Sequence, residues 1–317
     1  MRFALFAAVS LLMLGIIDVR GAAAQRKDST AFYVAPTGSD SWSGTIPKPN
    51  GAKTDGPFAT VSRAQEAVRA LPAASKSAGN TVFLRGGFYS LTAPLAFDKS
   101  DSGTEAAPTV YAAYRNETPI LSGGERITGW KQTKPGRWEV TLPAVARGEW
   151  RFSQLYVNNE RRLRPRLPKD GYYTIGGSLP ATPRAGDKGY DRFIYRKGDI
   201  DPNWQNRDDV ELLCFHIWSM SRFNIADIDT RERALTLSGY TRKAGQNYSL
   251  VHNNRYIVEN VKEALSTPGQ WYLDRKTGVL TYLSRRGEDP NRDTVVAPRL
   301  ERLMQVNGMS NVTFRGI

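Results

Sequence analysis

The sequence is poor in the residues from which disulfides and metal sites are built. Its 317 residues include one cysteine and two histidines. One cysteine excludes a framework of intrachain disulfides and any cysteine-rich zinc module. Two histidines argue against a histidine-rich metal site, so no metal is expected. The lone Cys214 lies in an apolar run and is predicted to be a small buried hydrophobe.

Glycine-rich loops that bind phosphate are also missing from the sequence. Neither of the glycine pairs Gly86–Gly87 and Gly123–Gly124 is followed by the start of a helix, which a phosphate site of this kind needs. No cofactor is therefore predicted.

Long hydrophobic runs are confined to the N-terminus. A basic start at Met1-Arg2-Phe3 precedes an apolar run from Ala4 to Ile17, which is too short to span a membrane comfortably. Small residues at Ala22-Ala23-Ala24 complete a secretory signal peptide over residues 1–24, with cleavage after Ala24. The alternative is an uncleaved anchor helix. A secreted or periplasmic protein is expected, with no membrane association after cleavage.

Acidic residues are outnumbered, 31 against 44 basic ones, which gives a net charge of +13. Such an excess of basic residues is typical of proteins that bind nucleic acids. The export signal and the lack of any helix-turn-helix, zinc-knuckle or RNP-type motif count against it, so no nucleic-acid partner is predicted. One dense basic patch comprises Arg161, Arg162, Arg164, Arg166 and Lys169. Arginine suits uronate carboxylates or sulfates through bidentate pairing, whereas the alternative is a solvated strand face.

Helical patterns are scarce as well. The spacing of Ser62 and Gln65 predicts a capping box at the start of one early helix, which Pro72 ends. The apolar face of this helix is predicted from Val61, Ala64, Ala67, Val68 and Leu71.

Short apolar runs separated by turns dominate the first part of the chain, at Val82–Leu84, Leu95–Phe97, Val110–Ala112 and Ile120–Leu121. The intervening stretches lack a helical pattern, so parallel strands joined by helices are disfavoured. A sandwich or a coiled parallel β-solenoid remains.

Beyond Trp130 the strands lengthen and become antiparallel in character. The candidates are Arg137–Leu142, Ser153–Asn158, Val210–Trp218, Phe223–Ile228 and Leu235–Leu237, with a hairpin of Trp271–Leu273 and Val279–Leu283 around a loop that ends in Gly278. That glycine is expected at positive φ. From Val295 the short strands return.

Several segments resemble secreted right-handed parallel β-helix proteins, in particular a branch like glycoside hydrolase family 141 with an inserted β-sandwich-like domain. The start of the β-helix is matched by Phe32–Val34, Gly38–Asp40 and Asp55–Thr60. The junction, the insertion and the return are matched by Pro119–Gly124 with Ile127–Trp130, by Gln154–Asn158, Tyr256–Asn260 and Pro268–Leu280, and by Ala297–Ile317.

The resemblance implies an all-β fold with four parts. These are the signal peptide at 1–24, capped first coils of the β-helix at 25–125, the inserted β-sandwich-like domain at 126–292, and a truncated return to the β-helix at 293–317. It implies a glycoside hydrolase acting on a polysaccharide or oligosaccharide as a monomer. The catalytic acids are expected on later coils, beyond Ile317, so this chain alone is expected to be inactive. A non-catalytic polysaccharide-binding or envelope protein and a polysaccharide lyase remain alternatives, since β-helix folds host many activities.

Four residues are candidates for substrate binding. On a strand, His216 and Trp218 would share one face, and an imidazole beside an indole suits sugar stacking, with Arg222 nearby. An aromatic pair in the sandwich core is the alternative. Trp204, which looks exposed in an acidic loop, could join a carbohydrate platform with Tyr172 or anchor that loop instead.

Paired carboxylates are what a glycosidase needs. Three pairs occur in turn-like or strand-edge contexts, where aspartate usually caps its own backbone. They are Asp199/Asp201, Asp208/Asp209 and Asp227/Asp229.

Overall fold

A computed structural model describes residues 29–242 and 248–317 of the chain. The predicted signal peptide over residues 1–24 lies outside this part. The chain divides into two compact units. Unit 1 comprises the described residues up to Tyr89 together with Ala96–Ile120 and Val306–Ile317, and unit 2 comprises Ser90–Leu95 and Leu121–Gln305.

The fold is mostly β, with both parallel and antiparallel sheets and few helices. The strands are β1 Thr30–Val34, β2 Asn80–Leu84, β3 Gly87–Ser90, β4 Leu95–Asp98, β5 Thr109–Ala113, β6 Pro119–Ser122, β7 Gly124–Arg126, β8 Lys131–Lys134, β9 Arg137–Thr141, β10 Leu155–Val157, β11 Glu160–Arg162, β12 Arg166–Leu167, β13 Tyr173–Thr174, β14 Gly177–Ser178, β15 Arg192–Ile194, β16 Glu211–Phe215, β17 Met220–Asp229, β18 Ala234–Leu237, β19 Arg255–Glu259, β20 Trp271–Asp274, β21 Val279–Leu283, β22 Val295–Pro298, β23 Met304–Asn307 and β24 Val312–Arg315. The α-helices are α1 Val61–Arg69, α2 Ala73–Lys76 and α3 Pro143–Ala146, and single 3₁₀ turns cover Lys99–Asp101, Gly186–Lys188, Arg207–Asp209 and Lys262–Ala264.

Unit 1 is built on a four-stranded parallel sheet with the order β1-β2-β5-β24. One register position is occupied in turn by Phe32, Val82, Tyr111 and Phe314. The rings of Tyr111 and Phe314 stack with centroids 5.3 Å apart, and Phe97 meets both edge-on. Because parallel neighbours cannot be joined by a tight turn, each step between them requires a long connection.

Helix α1 begins two residues earlier than the capping-box prediction, which has Ser62 as the N-cap, places it. The N-cap is Thr60, whose Oγ1 accepts the backbone N–H of Arg63 at 3.1 Å. Asp40 in turn accepts the hydroxyl of Thr60 at 2.9 Å. The predicted role of Gln65 is wrong, because its side chain is buried and donates to the carbonyl of Ala96 at 2.8 Å instead.

Unit 2 contains two hydrophobic cores. The first lies against the antiparallel sheet β12-β19-β16-β17-β18-β15-β14, in which β13 also pairs with β19. Its largest fully buried side chains are Tyr256, Phe193, Ile175 and Leu212. Cys214 is also buried there, as predicted, and burial raises its pKa to about 12.

The second core of unit 2 lies between two further four-stranded sheets, β20-β21-β9-β8 and β11-β10-β22-β7. Trp271 and Tyr282 are its largest fully buried members, and Trp130 and Trp150 are nearly as buried. The predicted β20–β21 hairpin is confirmed, with Asp274 opposite Val279 and Gly278 at a φ of +72°.

Two expectations about unit 2 need correction. The predicted strand Val210–Trp218 is shorter, because β16 ends at Phe215 and a turn follows. The segment from Tyr172 to Asp209, predicted to be a long loop, contains the three short strands β13, β14 and β15.

Within residues 29–242 and 248–317, no group of three or more His, Cys, Asp or Glu side chains is placed to hold a metal ion. No helix in the same part of the chain has the length and apolar character needed to cross a membrane.

Candidate functional site

His216 and Trp218 lie in the turn of the β16–β17 hairpin. The backbone N–H of His216 donates to the carbonyl of Ser219 at 2.9 Å, so the expectation that both side chains share a strand face is wrong. Nε2 of His216 is hydrogen-bonded to Oγ of Ser221 at 2.9 Å, and burial lowers the pKa of the imidazole. Trp218 is 67% exposed. The indole is therefore open to a ligand, whereas the neutral imidazole is tied to its own hairpin.

Arg222 lies on β17 and belongs to a network of four charged side chains. Its Nη1 lies 2.5 Å from Oε2 of Glu211 and 3.4 Å from Oε2 of Glu259. Nη2 of Arg164 donates to the same two oxygens at 2.7 and 2.5 Å. We call Arg164, Glu211, Arg222 and Glu259 the ionic network. The charge of Arg222 is neutralised within it, which leaves little for a ligand.

The ionic network also favours the ionised form of Glu211. Burial of Glu211 opposes ionisation, but the hydrogen bonds and charges of Arg164 and Arg222 outweigh it, and the pKa of Glu211 is lowered. A general acid needs the opposite shift, since it must hold a proton near neutral pH. Glu211 is thus suited to a structural role, not to proton donation.

Trp204 is not an exposed platform residue. It is only 8% exposed and packs in the first core of unit 2 with Val261 and Ala264 among its members. The expectation of an exposed indole fails because the acidic loop folds back onto the sheet. The neighbouring backbone N–H of Gln205 donates to Glu263 at 2.9 Å.

In each of the three candidate aspartate pairs, one carboxylate is engaged in a local contact. Asp209 lies 2.5 Å from Nε of Arg275. Asp229 accepts two backbone N–H bonds within a turn, at 2.9 and 3.0 Å. Asp199 accepts the hydroxyl of Tyr256 at 2.8 Å, and burial raises its pKa. Each of these carboxylates has a structural partner, so none supports a catalytic assignment.

The basic patch lines a pocket of about 440 Å³ in unit 2, which we call the cationic pocket. Its cationic residues are Arg161, Arg162, Arg164, Arg166 and Lys169, and its acidic ones are Asp170 and Glu259.

The patch is not a solvated strand face throughout. Arg162 and Arg164 are 3% and 9% exposed, whereas Arg161 and Lys169 are exposed. Alternate residues of this segment point inward, which is why only part of the charge faces solvent. Nη2 of Arg162 pairs with Glu288 at 2.5 Å.

An aromatic ring adjoins the cationic pocket. Tyr172 is 47% exposed, and its ring meets that of Phe215 edge-on with centroids 5.2 Å apart. The guanidinium carbons of Arg255 and Arg166 lie 4.7 and 5.9 Å from the centroid of Tyr172. Arg166 thus links the pocket to a half-exposed ring. The predicted exposure of Tyr172 is confirmed.

Comparisons with known proteins give a fold match and partial sequence relatives. A solved chain described as a glycoside hydrolase superposes with a TM-score of 0.75 and 23% identity, over 91% of this chain and 50% of that one. The chain shares the fold of that glycoside hydrolase. No protein-family model matches the sequence.

The sequence relatives cover less of the chain. Pectate lyase PEL9 of Emericella nidulans is 37% identical over 136 residues, which are 40% of this chain and 28% of that protein. The uncharacterized protein YwoF of Bacillus subtilis is 35% identical over 92 residues, or 29% of this chain and 15% of its own length. This chain therefore spans less than a third of either curated relative. A partial relationship to a carbohydrate-active enzyme follows.

The ionic network is not predicted from the sequence. Glu211 and Glu259 are Cα partners on β16 and β19, although 48 positions separate them in the chain. The available signal was that each glutamate adjoins an apolar strand run, Leu212–Cys214 or Tyr256–Val258. A charge at the end of a buried strand calls for a partner, but the register that supplies it is a tertiary property.

Proposed function

We propose that this chain is part of an exported carbohydrate-active protein that acts on a polysaccharide, with glycoside hydrolysis as its reaction. In this proposal unit 1 forms the first coils of a right-handed parallel β-helix, and unit 2 is the inserted β-sandwich-like domain. The parallel order β1-β2-β5-β24 and its aligned register support the first part. The fold shared with a glycoside hydrolase over 91% of the chain supports the whole.

The observation that carries the link to carbohydrate is the 37% identity with pectate lyase PEL9. That name refers to a polysaccharide-cleaving enzyme, and the basic character of this chain suits an acidic glycan. A polysaccharide lyase is therefore the second candidate. A hydrolase releases a reducing end by addition of water, whereas a lyase eliminates and leaves an unsaturated sugar.

The residues that perform the reaction are not assigned. One aspartate of each candidate pair has a structural partner, and the pKa of Glu211 is shifted away from the range of a general acid. The resemblance to β-helix glycosidases placed the catalytic acids on coils beyond Ile317, and this stays a prediction. The activity is therefore a proposal for the complete gene product.

Export remains a proposal as well. Residues 1–24 have the order of a secretory signal peptide, with cleavage after Ala24. The check is to express the gene in a bacterial host and to sequence the N-terminus of protein recovered from the periplasm or the medium. A mature N-terminus at Gln25 is expected, and an intact Met1 in the membrane fraction would contradict the proposal.

The activity is tested on a panel of neutral and acidic polysaccharides with the complete gene product and, in parallel, with the chain from Gln25 to Ile317. New reducing ends without ultraviolet absorbance are expected for the hydrolase. Ultraviolet-absorbing unsaturated ends would transfer the proposal to the lyase. Binding of glycans without either product would instead identify a non-catalytic binding protein. The absence of both binding and product would refute the carbohydrate proposal.

A further inference from the structure

The cationic pocket contains positive charge that the protein does not neutralise. Arg162 is balanced by Glu288 and Glu160, at 2.5 and 3.1 Å, and Arg164 by the two glutamates of the ionic network. These two arginines are buried and form the inner wall. Their charges are compensated before any ligand arrives.

Three further cations of the pocket have no such partner. Among the described residues, no carboxylate lies within ion-pair distance of Arg161, Arg166 or Lys169. The guanidinium of Arg166 donates only to backbone carbonyls, that of Pro168 at 3.1 Å and that of Gly171. Neutral acceptors hold the planar group in place without removing its charge, so it remains available to an anion.

The shape of the site favours a small ligand unit over a flat contact. The pocket encloses about 440 Å³, which is within the range of roughly 300–1,000 Å³ typical of small-molecule sites. Leu163, 66% exposed, and the hydroxyl-bearing Ser153 and Thr267 also line it. Apolar surface, hydroxyl groups and unpaired cations together match a ring that carries hydroxyls and one acidic group.

Tyr172 extends this chemistry beyond the pocket. Its half-exposed ring lies beside Arg166 and is fixed by Phe215 and Arg255. An aromatic ring with a polar tip offers both an apolar surface and a hydroxyl to a neighbouring sugar unit. Arg166 lines the pocket and lies beside the ring, so the two are neighbours within unit 2.

We propose that the cationic pocket and Tyr172 bind an acidic saccharide, whose carboxylate or sulfate is held by Arg161, Arg166 and Lys169. The inference rests on the proposed function and specifies the substrate class that it leaves open. The anionic group pairs with the guanidinium groups through parallel hydrogen bonds, and its sugar ring contacts Leu163. The adjoining sugar unit contacts Tyr172.

The test compares a pocket variant with a variant of the same net charge. Arg161→Glu/Lys169→Glu reverses two exposed charges at the pocket, and Arg286→Glu/Lys134→Glu reverses two exposed charges of unit 2 outside it. Each is titrated by calorimetry with an oligogalacturonate, a sulfated dextran oligosaccharide and a neutral xylo-oligosaccharide. Circular dichroism and thermal melting verify that all variants fold.

The wild-type chain is expected to bind at least one acidic probe about tenfold or more tightly than the neutral one, and the pocket variant to lose about tenfold or more of that affinity, as lost charge-assisted bonds imply. The control variant should retain it. The oligogalacturonate and sulfated arms decide whether the recognised group is a carboxylate or a sulfate. Affinity should also fall as salt is added.

Several outcomes would overturn the inference. Two are equal affinity for neutral and acidic probes and equal loss in the pocket and control variants. A third is equally tight, pocket-dependent binding of a single-stranded oligonucleotide, titrated in the same way. The two proposals fail separately. Turnover of a neutral polysaccharide by the complete gene product that the pocket variant leaves unchanged refutes only the acidic subsite. Pocket-dependent binding of an acidic saccharide without turnover by the complete gene product refutes only the enzymatic proposal.

Discussion

Glu211 and Glu259 lie directly opposite each other on neighbouring antiparallel strands, and both accept hydrogen bonds from one nitrogen of Arg164. Two carboxylates on adjacent strands repel when they face each other without a counter-ion. Arg164, whose side chain is 6% exposed, supplies that counter-ion from within, and Arg222 supplies a second from a more exposed position. This arrangement relieves the repulsion between β16 and β19 in the eight-stranded sheet of unit 2.

Removal of Arg164 should therefore destabilise the chain strongly. Arg164→Met leaves two partly buried carboxylates with only Arg222 between them, and loss of one partner of a fully buried ion pair costs about 3–5 kcal/mol. We expect a loss at the lower end of this range, because Arg222 remains. Urea unfolding at neutral pH measures it. Arg286→Met, at an exposed position of the same unit, should change stability by less than about 0.5 kcal/mol, and an equal loss in both variants would contradict the role of Arg164.

The same network predicts an acid-labile sheet. The folded-state pKa of Glu211 lies below its ordinary value, so the stabilisation is present above the unfolded pKa, about 4.3 for glutamate. It is lost as the pH falls through the lower folded value. Glu211→Gln should reduce stability near neutral pH and flatten its decline in acid.

Urea midpoints measured from pH 7 down to pH 3 test this dependence. The exposed Glu301→Gln serves as a matched control and should keep the wild-type profile. If Glu211→Gln declined in acid as steeply as the wild type, the ionic network would not be the source of the pH dependence.

Substitution of the two tryptophans proposed for binding should have different effects on stability and on glycan binding. Trp204 is 8% exposed and Trp218 is 67% exposed. Trp204→Ala leaves a cavity in the first core and should cost about 3–5 kcal/mol, whereas Trp218→Ala should change stability by less than about 0.5 kcal/mol. Trp218→Ala should weaken retention on a polysaccharide in affinity electrophoresis, if the exposed indole stacks on sugar.

Affinity electrophoresis measures the glycan binding of both variants, and thermal melting of the same preparations measures their stability. Unchanged retention of Trp218→Ala would remove the hairpin turn from the binding surface. Unchanged stability of Trp204→Ala would contradict its place in the core.

The sequence was informative where a local pattern decides the structure. The β20–β21 hairpin and its glycine follow from turn chemistry, and the burial of Cys214 follows from its apolar neighbours. The predicted exposure of Trp204 is wrong because the local sequence of an acidic loop does not show that the loop packs against a core. The predicted placement of His216 on a strand is wrong because a strand pattern does not mark the residue at which the hairpin turns. The pairing of Glu211 with Glu259 is set by register between distant segments, which local patterns do not contain.

Gly278 provides the sharpest test of turn geometry, because Gly287 offers a matched control. Both glycines have positive φ, +72° and +86°. A Cβ on Gly278 would lie 2.5 Å from the carbonyl oxygen of Leu142, whereas a Cβ on Gly287 would have nothing within 4 Å. Gly287→Ala should therefore cost only the backbone strain of about 1–2 kcal/mol. Gly278→Ala should cost more, since it must also displace the backbone to which Gly278 is bound through the N–H of Leu142 at 2.8 Å. Urea unfolding of the two variants compares them directly, and a Gly278→Ala protein no less stable than Gly287→Ala would show that the β9 end of this sheet yields without cost.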